Sequence, residues 1–463
     1  MRHINNITHK NIKKYSKQFN KKKSNKIFKN VNTKASFKNL ILKADYIQNK
    51  KQHFKKFISI NTKITNQEKS GNCWIYAFLN VIRLPMIKKY KLLNFEFSQA
   101  YLFFYDRLEK ANTFLNYINS YKKLKLEDDK INFLLYKTTK DGGTWSMFVN
   151  LVKKYGLIPK NNMDNNFHVS NSKDLNEFFN NYLLTAAKKI RDSKVNNQKL
   201  IKDILYDCYK ILVIFLGEPP SKITWEYYEK NDKKNNQSNN IDNQSNNIDN
   251  IDNINKIYKV IENVTPIEFL NKYVPYNIND NICLINYPCK SYYKKYNIQL
   301  SQNIIGQRKE DYINVPIDIL INLIKKSIDN NQAIWCGIDA SKFISRKHGI
   351  MDKDAFNYKD IFDTDNTLDK CSSLKYKLSY PNHAIMIKGY NLEKGKTNGF
   401  FVENSWGEDS GFKGNYFMSL EWFKDYGYEI VIDKKFVNKK ILNVLKSKSI
   451  LLSYNDPFGS LMK

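Results

Sequence analysis

A low-complexity stretch divides this chain of 463 residues into two parts of different character. The heptapeptide Asn-Gln-Ser-Asn-Asn-Ile-Asp occurs at 236–242 and again at 243–249, inside an Asn-rich segment that spans 229–256. Such a segment cannot bury a core, so we interpret it as a solvated loop insertion. Apolar residues before it recur at helical spacing, whereas short apolar runs after it are typical of strands. Helices first and strands later predict an α+β fold.

The pattern also places individual elements. Residues 74–93 have helical spacing, and the helix is predicted to end near Pro85, because proline disrupts a helix interior. Further helices are predicted at 97–118 and 144–155. The strand signals lie at 282–285, 333–338, 384–387 and 399–402.

The chain is strongly basic, with 76 Lys and Arg against 45 Asp and Glu and a net charge of +31. Residues 1–56 hold 17 of these basic residues and only one acidic residue, Asp45. Such an excess attracts phosphate or acidic surfaces, although a bias of the whole sequence toward Lys and Asn gives the same composition. We predict that 1–56 is a disordered or loosely helical extension, with a transit peptide as the alternative.

Cysteine usage and hydropathy narrow the class of protein. Six cysteines without a Cys-x-x-Cys pair predict neither a disulfide scaffold nor a zinc ribbon and indicate a reducing compartment. Apolar runs such as Ile211 to Leu216 are far shorter than the ~18 residues of a membrane helix, and 1–30 lacks a secretory apolar core. We expect a protein that does not associate with membranes and that binds neither a metal nor a cofactor. Its expected location is the cytoplasm, or an organelle if 1–50 is a transit peptide.

The sequence Ser70-Gly71-Asn72-Cys73-Trp74 leads from a turn directly into the first apolar helix. A helix N-terminus presents free N–H groups and the positive end of the helix dipole, which stabilise a thiolate. The pKa of Cys73 is therefore predicted to fall, and Cys73 becomes a candidate nucleophile. A lone cysteine is otherwise most often a small buried apolar residue.

Three other polar residues complete a candidate site. His383 precedes the strand-like run 384–387 and could act as a general base. Asn404, 21 residues later, could orient its imidazole, and Trp406 could shield that bond from water. The amide of Gln67, six residues before Cys73, could stabilise an oxyanion. Each residue alone is more often structural, and their combination favours the catalytic interpretation.

The set resembles the papain-like cysteine peptidases, and among them the bleomycin hydrolase family, called aminopeptidase C in bacteria. Papain itself has a shorter Cys-to-His spacing than the 310 residues here, and the bleomycin hydrolase branch carries insertions that explain the difference. The resemblance covers about 57–463 apart from 229–256. Further matching blocks are Phe97–Asp106, Asp141–Gly143 with Trp145, Gly217–Pro220, Asn314–Ile317 and Asp456–Gly459.

The resemblance implies a papain-like fold with large helical insertions and a cysteine-type aminopeptidase that forms a homohexamer. It divides the body into a helical part with the nucleophile (57–160), a helical insertion (about 161–228), the Asn-rich loop (229–256), a β-rich part (257–450) and a C-terminal arm in the active site (451–463). Gly142, Gly143 and Trp406 would bind substrate. The terminal residue, Lys463, would carry the carboxylate that binds the substrate amine before being trimmed.

The sequence departs from the family pattern at two places, and it allows one alternative function. Asn72 stands where the family commonly has Arg, and Pro381-Asn382 replaces a different sequence before the histidine. The alternative is a nucleic-acid-binding or scaffold protein built on a peptidase body. The basic charge supports weak nucleic-acid binding, but the sequence contains no recognised nucleic-acid motif.

Overall fold

A computed structural model describes most of the chain. The described residues are 6–49, 54–60, 62–136, 138–194, 197–230, 256–307, 309–364 and 366–462. Within them, no helix has both the length and the apolar character needed to cross a membrane.

The described residues contain helices and strands in the predicted order. The helices are α1 His9–Lys21, α2 Lys23–Asn32, α3 Phe37–Leu40, α4 Ala44–Gln48, α5 Cys73–Lys89, α6 Gln99–Ser120, α7 Asp129–Tyr136, α8 Trp145–Tyr155, α9 Phe167–Ser170, α10 Lys173–Asp192, α11 Gln198–Leu216, α12 Pro266–Tyr273, α13 Ile317–Asp329, α14 Tyr358–Phe362, α15 Lys370–Lys375, α16 Leu420–Tyr426 and α17 Lys439–Val444. The strands are β1 Lys56–Phe57, β2 Ile223–Lys230, β3 Lys256–Val264, β4 Asn281–Ile285, β5 Lys294–Ile298, β6 Tyr312–Asn314, β7 Ile334–Ile338, β8 Ile344–Ser345, β9 Ile350–Met351, β10 His383–Glu393, β11 Lys396–Glu403, β12 Asn415–Ser419, β13 Gly427–Asp433 and β14 Ile450–Leu452.

One mixed sheet organises the second half of the chain. Its strand order is β14-β5-β6-β4-β13-β7-β10-β11-β12-β9-β8, and β1 pairs with β10. Strand β10 is antiparallel to both β7 and β11, and its first residue, His383, lies opposite Ile338. The predicted strands are confirmed. The position of His383 at a strand end leaves its side chain at the edge of the buried sheet.

Helix α5 packs its buried length against this sheet, and Phe78 stacks on Trp335 of β7 with ring centroids 4.5 Å apart. The helices predicted at 97–118 and 144–155 are confirmed as α6 and α8. The predicted end near Pro85 is wrong, because α5 continues through Pro85 to Lys89. Burial of Met86 and Ile87 beyond the proline offsets the hydrogen bond that the ring removes.

The basic N-terminal segment differs from the predicted disordered or loosely helical extension. Its described residues form α1 to α4, and Ile41 is fully buried in a small second apolar cluster with Ile350, Ala355 and Phe356. Backbone hydrogen bonds from Lys43 N–H to the Ala355 carbonyl, and from Asn357 N–H to the Ile41 carbonyl, join the two segments. The composition of the segment did not predict these contacts, because only a few apolar side chains make them and lysines dominate the segment.

The Asn-rich insertion emerges from a two-stranded ribbon. Strands β2 and β3 are antiparallel, and Lys230 lies opposite Lys256. The predicted loop 229–256 is therefore too wide at both ends, since 229, 230 and 256 belong to strands, and 231–255 lies outside the described residues.

The cysteines also differ from expectation. Cys289 and Cys371 form a disulfide, so the sequence-based expectation of reduced cysteines fails for this pair. Cysteine spacing could not reveal the pair, because 82 residues separate the two. Cys73, Cys208, Cys283 and Cys336 are buried and form no disulfide.

Candidate active site

Cys73 is the first residue of α5, as the sequence predicts, but its environment differs from the prediction. Burial raises the pKa of the Cys73 thiol to about 11, and the negative charge of Asp141 adds to this effect. Backbone hydrogen bonds from Ala384, Trp74 and Cys73 itself act in the opposite direction. The prediction of a lowered thiol pKa is wrong, because desolvation outweighs the effect of the helix N-terminus.

His383 and Asn404 form the predicted pair. The His383 Nε2 donates a hydrogen bond to the Asn404 Oδ1 at 2.8 Å, because the amide oxygen can only accept. This bond leaves Nδ1 of the neutral imidazole as the proton acceptor. Burial lowers the pKa of His383 to about 4, while the bond to Asn404 opposes this shift and Arg346 adds to it. His383 is therefore neutral, as a general base must be, through the neutral pH range.

Trp406 covers the His383–Asn404 pair. Its ring stacks on the imidazole with centroids 4.7 Å apart and an interplanar angle of 22°. The guanidinium of Arg346 lies on this indole, 3.9 Å from the ring centroid. Trp406 thus contacts the His383 imidazole, in the position from which the sequence predicts that it shields the bond to Asn404.

Gln67 lies in a fixed position beside the nucleophile. Its Nε2 donates to the Ser70 carbonyl at 2.8 Å, and its Oε1 accepts from the Ser405 hydroxyl at 2.6 Å. A carboxamide nitrogen has two hydrogens, so one N–H of Gln67 remains beyond the bond to Ser70. The Ser405 hydroxyl fixes which way the amide faces, and this residue was not predicted from the sequence.

One cleft brings the site residues together with the end of the chain. The cleft has a volume of about 650 Å³, and Gln67, Cys73, Gly142 and His383 line it. The C-terminal segment contributes Asn455, Pro457, Ser460 and Leu461 to the same cleft. The side chain of Phe458 is buried and stacks on Tyr287 at 4.5 Å, which holds the segment there. Lys463, predicted to bind substrate, lies outside the described residues.

The two predicted glycines have different surroundings. Gly142 lines the cleft, whereas Gly143 faces the ring of Trp74. A Cβ added to Gly143 would fall 2.5 Å from that ring, which is closer than such contacts occur. Gly143 is therefore required by packing behind the nucleophile, and Gly142 is the glycine that substrate can reach.

Asp141 joins the turn before the nucleophile to the loop that carries Gly142. Its carboxylate accepts from the Gly71 backbone N–H and from the Asn176 amide, each at 2.9 Å, and from the Ser172 hydroxyl. The guanidinium of Arg107 lies 3.3 Å from it. These contacts hold the pKa of Asp141 below its usual value despite burial. Asp141 is an anion that fixes loop geometry.

Lys110, on helix α6, is hydrogen-bonded to the same loop. Its buried ammonium donates to the carbonyls of Lys140 and Gly142, both at 2.7 Å, and pairs with Asp106 at 2.6 Å. Local sequence did not reveal these roles of Arg107, Lys110 and Asp141. The available signal was charge within an apolar helix: Asp106, Arg107 and Lys110 interrupt the apolar residues of α6, where charges are buried only when paired.

Among the residues that the structure describes, there is no group of three His, Cys, Asp or Glu side chains that could hold a metal ion.

Comparison with known proteins agrees with this geometry. The model of the Peptidase C1-like family matches 6–247 and 247–459. Bleomycin hydrolase from Homo sapiens is 33% identical over 440 residues, which cover 91% of each chain. Aminopeptidase C from Listeria innocua is 32% identical over 405 residues, which cover 86% of each chain.

A solved structure extends the comparison to the fold. The crystal structure of PepW from Lactobacillus rhamnosis has a TM-score of 0.89 at 29% identity, covering 98% of this chain and 99% of that one. The family match begins at residue 6 and therefore includes the basic N-terminal helices. This chain belongs to the Peptidase C1-like family, has the papain-like fold of that family and is a cysteine peptidase.

Proposed function

We propose that Cys73, His383, Asn404 and Gln67 catalyse peptide hydrolysis from the amino end of the substrate. The chain is a cysteine-type aminopeptidase, similar to bleomycin hydrolase and aminopeptidase C. The observation that carries the proposal is the C-terminal segment, because four of its residues line the cleft that holds Cys73 and His383. A cleft occupied on one side accepts a peptide end more readily than the middle of a long peptide.

The reaction begins from a neutral thiol and a neutral imidazole. The Cys73 sulfur attacks the substrate carbonyl while its proton passes to Nδ1 of His383. The negative charge that forms on the carbonyl oxygen is stabilised by the remaining Gln67 Nε2–H and the Cys73 backbone N–H. His383 then protonates the leaving amine. Water, deprotonated by the same imidazole, hydrolyses the thioester and restores the thiol.

The C-terminal segment would select substrates with a free amino group. The buried side chain of Phe458 anchors the segment, and Ser460 and Leu461 extend it into the cleft. By resemblance to the family, Lys463 would supply the carboxylate that binds the substrate ammonium.

The test compares an amino-acid fluorogenic amide with its N-acetylated form. We expect the wild-type enzyme to cleave only the free-amine substrate, and thiol alkylation to abolish that cleavage. Deletion of 460–463, which retains Phe458, should allow cleavage of the acetylated substrate. Equal cleavage of both substrates by the wild type would disprove amine selection, and cleavage that survives alkylation would disprove the Cys73 mechanism.

Assembly and location are part of the same proposal. From the family resemblance we infer a homohexamer. From the sequence we infer a cytoplasmic location, and from its net charge of +31 weak nucleic-acid binding through the basic surface. Sedimentation would test the hexamer, and fractionation the location. Nucleic-acid binding, if present, should weaken steeply with salt, since phosphate contacts release counterions.

A further inference from the structure

We infer that Glu403 is a positioning residue that connects the three elements presenting Cys73, His383 and Asn404, and this inference rests on the catalytic roles proposed above. The Glu403 carboxylate is only 1% exposed and directly precedes Asn404. Its Oε1 accepts from Arg83 Nη2 at 2.8 Å, and its Oε2 accepts from Lys388 Nζ at 2.7 Å. One buried anion therefore binds two cations at once.

The two cations come from the elements that carry the other catalytic residues. Arg83 lies on α5, ten residues after Cys73, and Lys388 lies on β10, five residues after His383. Glu403 is the last residue of β11. The ion triad thus joins the helix of the nucleophile, the strand of the base and the strand that leads into Asn404.

Ser405, which directly follows Asn404, is hydrogen-bonded to Gln67, the residue that precedes the turn leading to Cys73. The Ser405 hydroxyl donates to Gln67 Oε1 at 2.6 Å, and the Ser405 carbonyl accepts from the Gln67 backbone N–H at 2.9 Å. Asn404 is therefore held from both sequence neighbours. Ser405 fixes it to the residue before the nucleophile turn, and Glu403 fixes it to the nucleophile helix.

Geometry explains why charges are used here. The backbone of α5 is hydrogen-bonded within the helix, so side chains must connect it to the strands. Apolar packing is not directional, whereas an arginine–carboxylate contact fixes distance and orientation. A buried ion pair adds little net stability over a well-packed apolar pair. The expected benefit of the triad is therefore alignment between Cys73 and the His383–Asn404 pair.

The decisive variant is Arg83→Met. It removes the connection to α5 and leaves Glu403 paired with Lys388, so the anion keeps a buried partner. We expect kcat to fall about tenfold to a hundredfold with KM nearly unchanged, because small misplacements of reacting groups cost that much. Arg83→Lys should restore most of the activity. Lys388→Met should have a smaller effect, because the β10–β11 pairing that places Met386 opposite Glu403 persists.

A second measurement distinguishes a loss of alignment between Cys73 and His383 from a general loss of protein stability. The pH dependence of Cys73 alkylation by a small neutral reagent reports how well His383 assists the thiol. Arg83→Met should lower this rate across the plateau, whereas Lys353→Met, which removes a half-exposed ion pair with Asp425, should not. A folded Arg83→Met enzyme with normal kcat and alkylation, or an Arg83→Lys enzyme no better than Arg83→Met, would overturn the inference. Cys73→Ala tests the proposed function separately, because its result does not depend on Arg83.

Discussion

The two walls of the cleft are held in place by different means. The wall with His383 and Asn404 consists of paired strands, and backbone hydrogen bonds between β10 and β11 define its shape. The opposite wall includes the loop at 138–144, which has no regular secondary structure. There, Lys110 and Asp141 supply side-chain contacts to the backbone that a neighbouring strand would otherwise supply.

This difference shows what buried charge contributes in this fold. Loop carbonyls such as those of Lys140 and Gly142 need partners when they are removed from water. The buried ammonium of Lys110 binds both, and Asp106 balances its charge. Loss of a charge from such a group leaves an unpaired ion, whereas loss of one hydrogen bond from the strand wall leaves the strand pairing intact. The loop wall should therefore respond to mutation mainly in stability, and the strand wall mainly in rate.

The largest effect should come from Cys73→Ala. Removal of the nucleophile is expected to lower kcat by on the order of 10⁵–10⁶, as it does when a nucleophile acts as one unit with its base. The melting temperature should stay close to that of the wild type, because alanine fits the same helix position. Measurement of free-amine substrate hydrolysis and of thermal unfolding tests both. Retained hydrolysis would reject Cys73 as the nucleophile.

Lys110→Met tests the loop wall. The substitution leaves Asp106 as a buried carboxylate without its ion pair, so the free energy of unfolding should fall by about 3–5 kcal/mol. The loop at 138–144 also loses the contacts that Lys110 makes to its carbonyls, so KM should rise in the protein that remains folded. Chemical denaturation and steady-state kinetics measure the two effects.

Lys188→Met is the matched control for Lys110→Met. Lys188 also pairs with a carboxylate one helical turn away, that of Asp192, but the two side chains are 79% and 61% exposed. Its loss should cost less than about 1 kcal/mol. Equal losses of stability in the two variants would show that the burial of Lys110 has no special role.

Asn404→Ala tests the strand wall. Loss of the Asn404 Oδ1 acceptor leaves the His383 imidazole without its orienting partner, and kcat should fall about a hundredfold, which is within the range of general-base contributions. Stability should change little because β10 and β11 remain paired. Asn398→Ala, in the strand β11 that leads into Asn404 but bonded to Glu393 at the surface, is the control and should retain full activity. A variant of Asn404 that unfolds as readily as Lys110→Met would remove the contrast between the walls.

Local sequence led to Cys73, His383, Asn404 and Gln67 as candidates through a helix start, a strand start, a turn and the spacing from Cys73, taken together. The same signal could not identify their supports. Ser405 lies 338 residues from Gln67, and Glu403 lies 320 residues from Arg83, so no local pattern connects them. Hydrophobic periodicity likewise predicted α6 and α8 but not the docking of Ile41, which depends on a distant segment.

The pKa of the Cys73 thiol also could not be predicted from local sequence. A cysteine at a helix N-terminus predicts a lowered thiol pKa, yet burial raises the pKa of Cys73 to about 11. The thiol lies within hydrogen-bonding reach of the backbone of Trp74 and Ala384, and it shares a cleft with His383 and the C-terminal segment. These surround Cys73 only after the two halves of the chain have come together.

The smallest predicted effect concerns the acid side of the pH profile. Burial, and to a lesser degree the charge of Arg346, lower the pKa of His383 from 6.5 to about 4. The base therefore stays neutral well below pH 6.5, and kcat/KM should decline only as the pH approaches about 4. The unfolded chain takes up the proton first, so the stability due to neutral His383 is present above pH 6.5 and is lost as pH falls toward 4. Arg346→Met should raise the pKa of His383 and move the decline to higher pH, whereas a profile centred at 6.5 in the wild type would mean that the imidazole is hydrated rather than enclosed by the strand wall and Trp406.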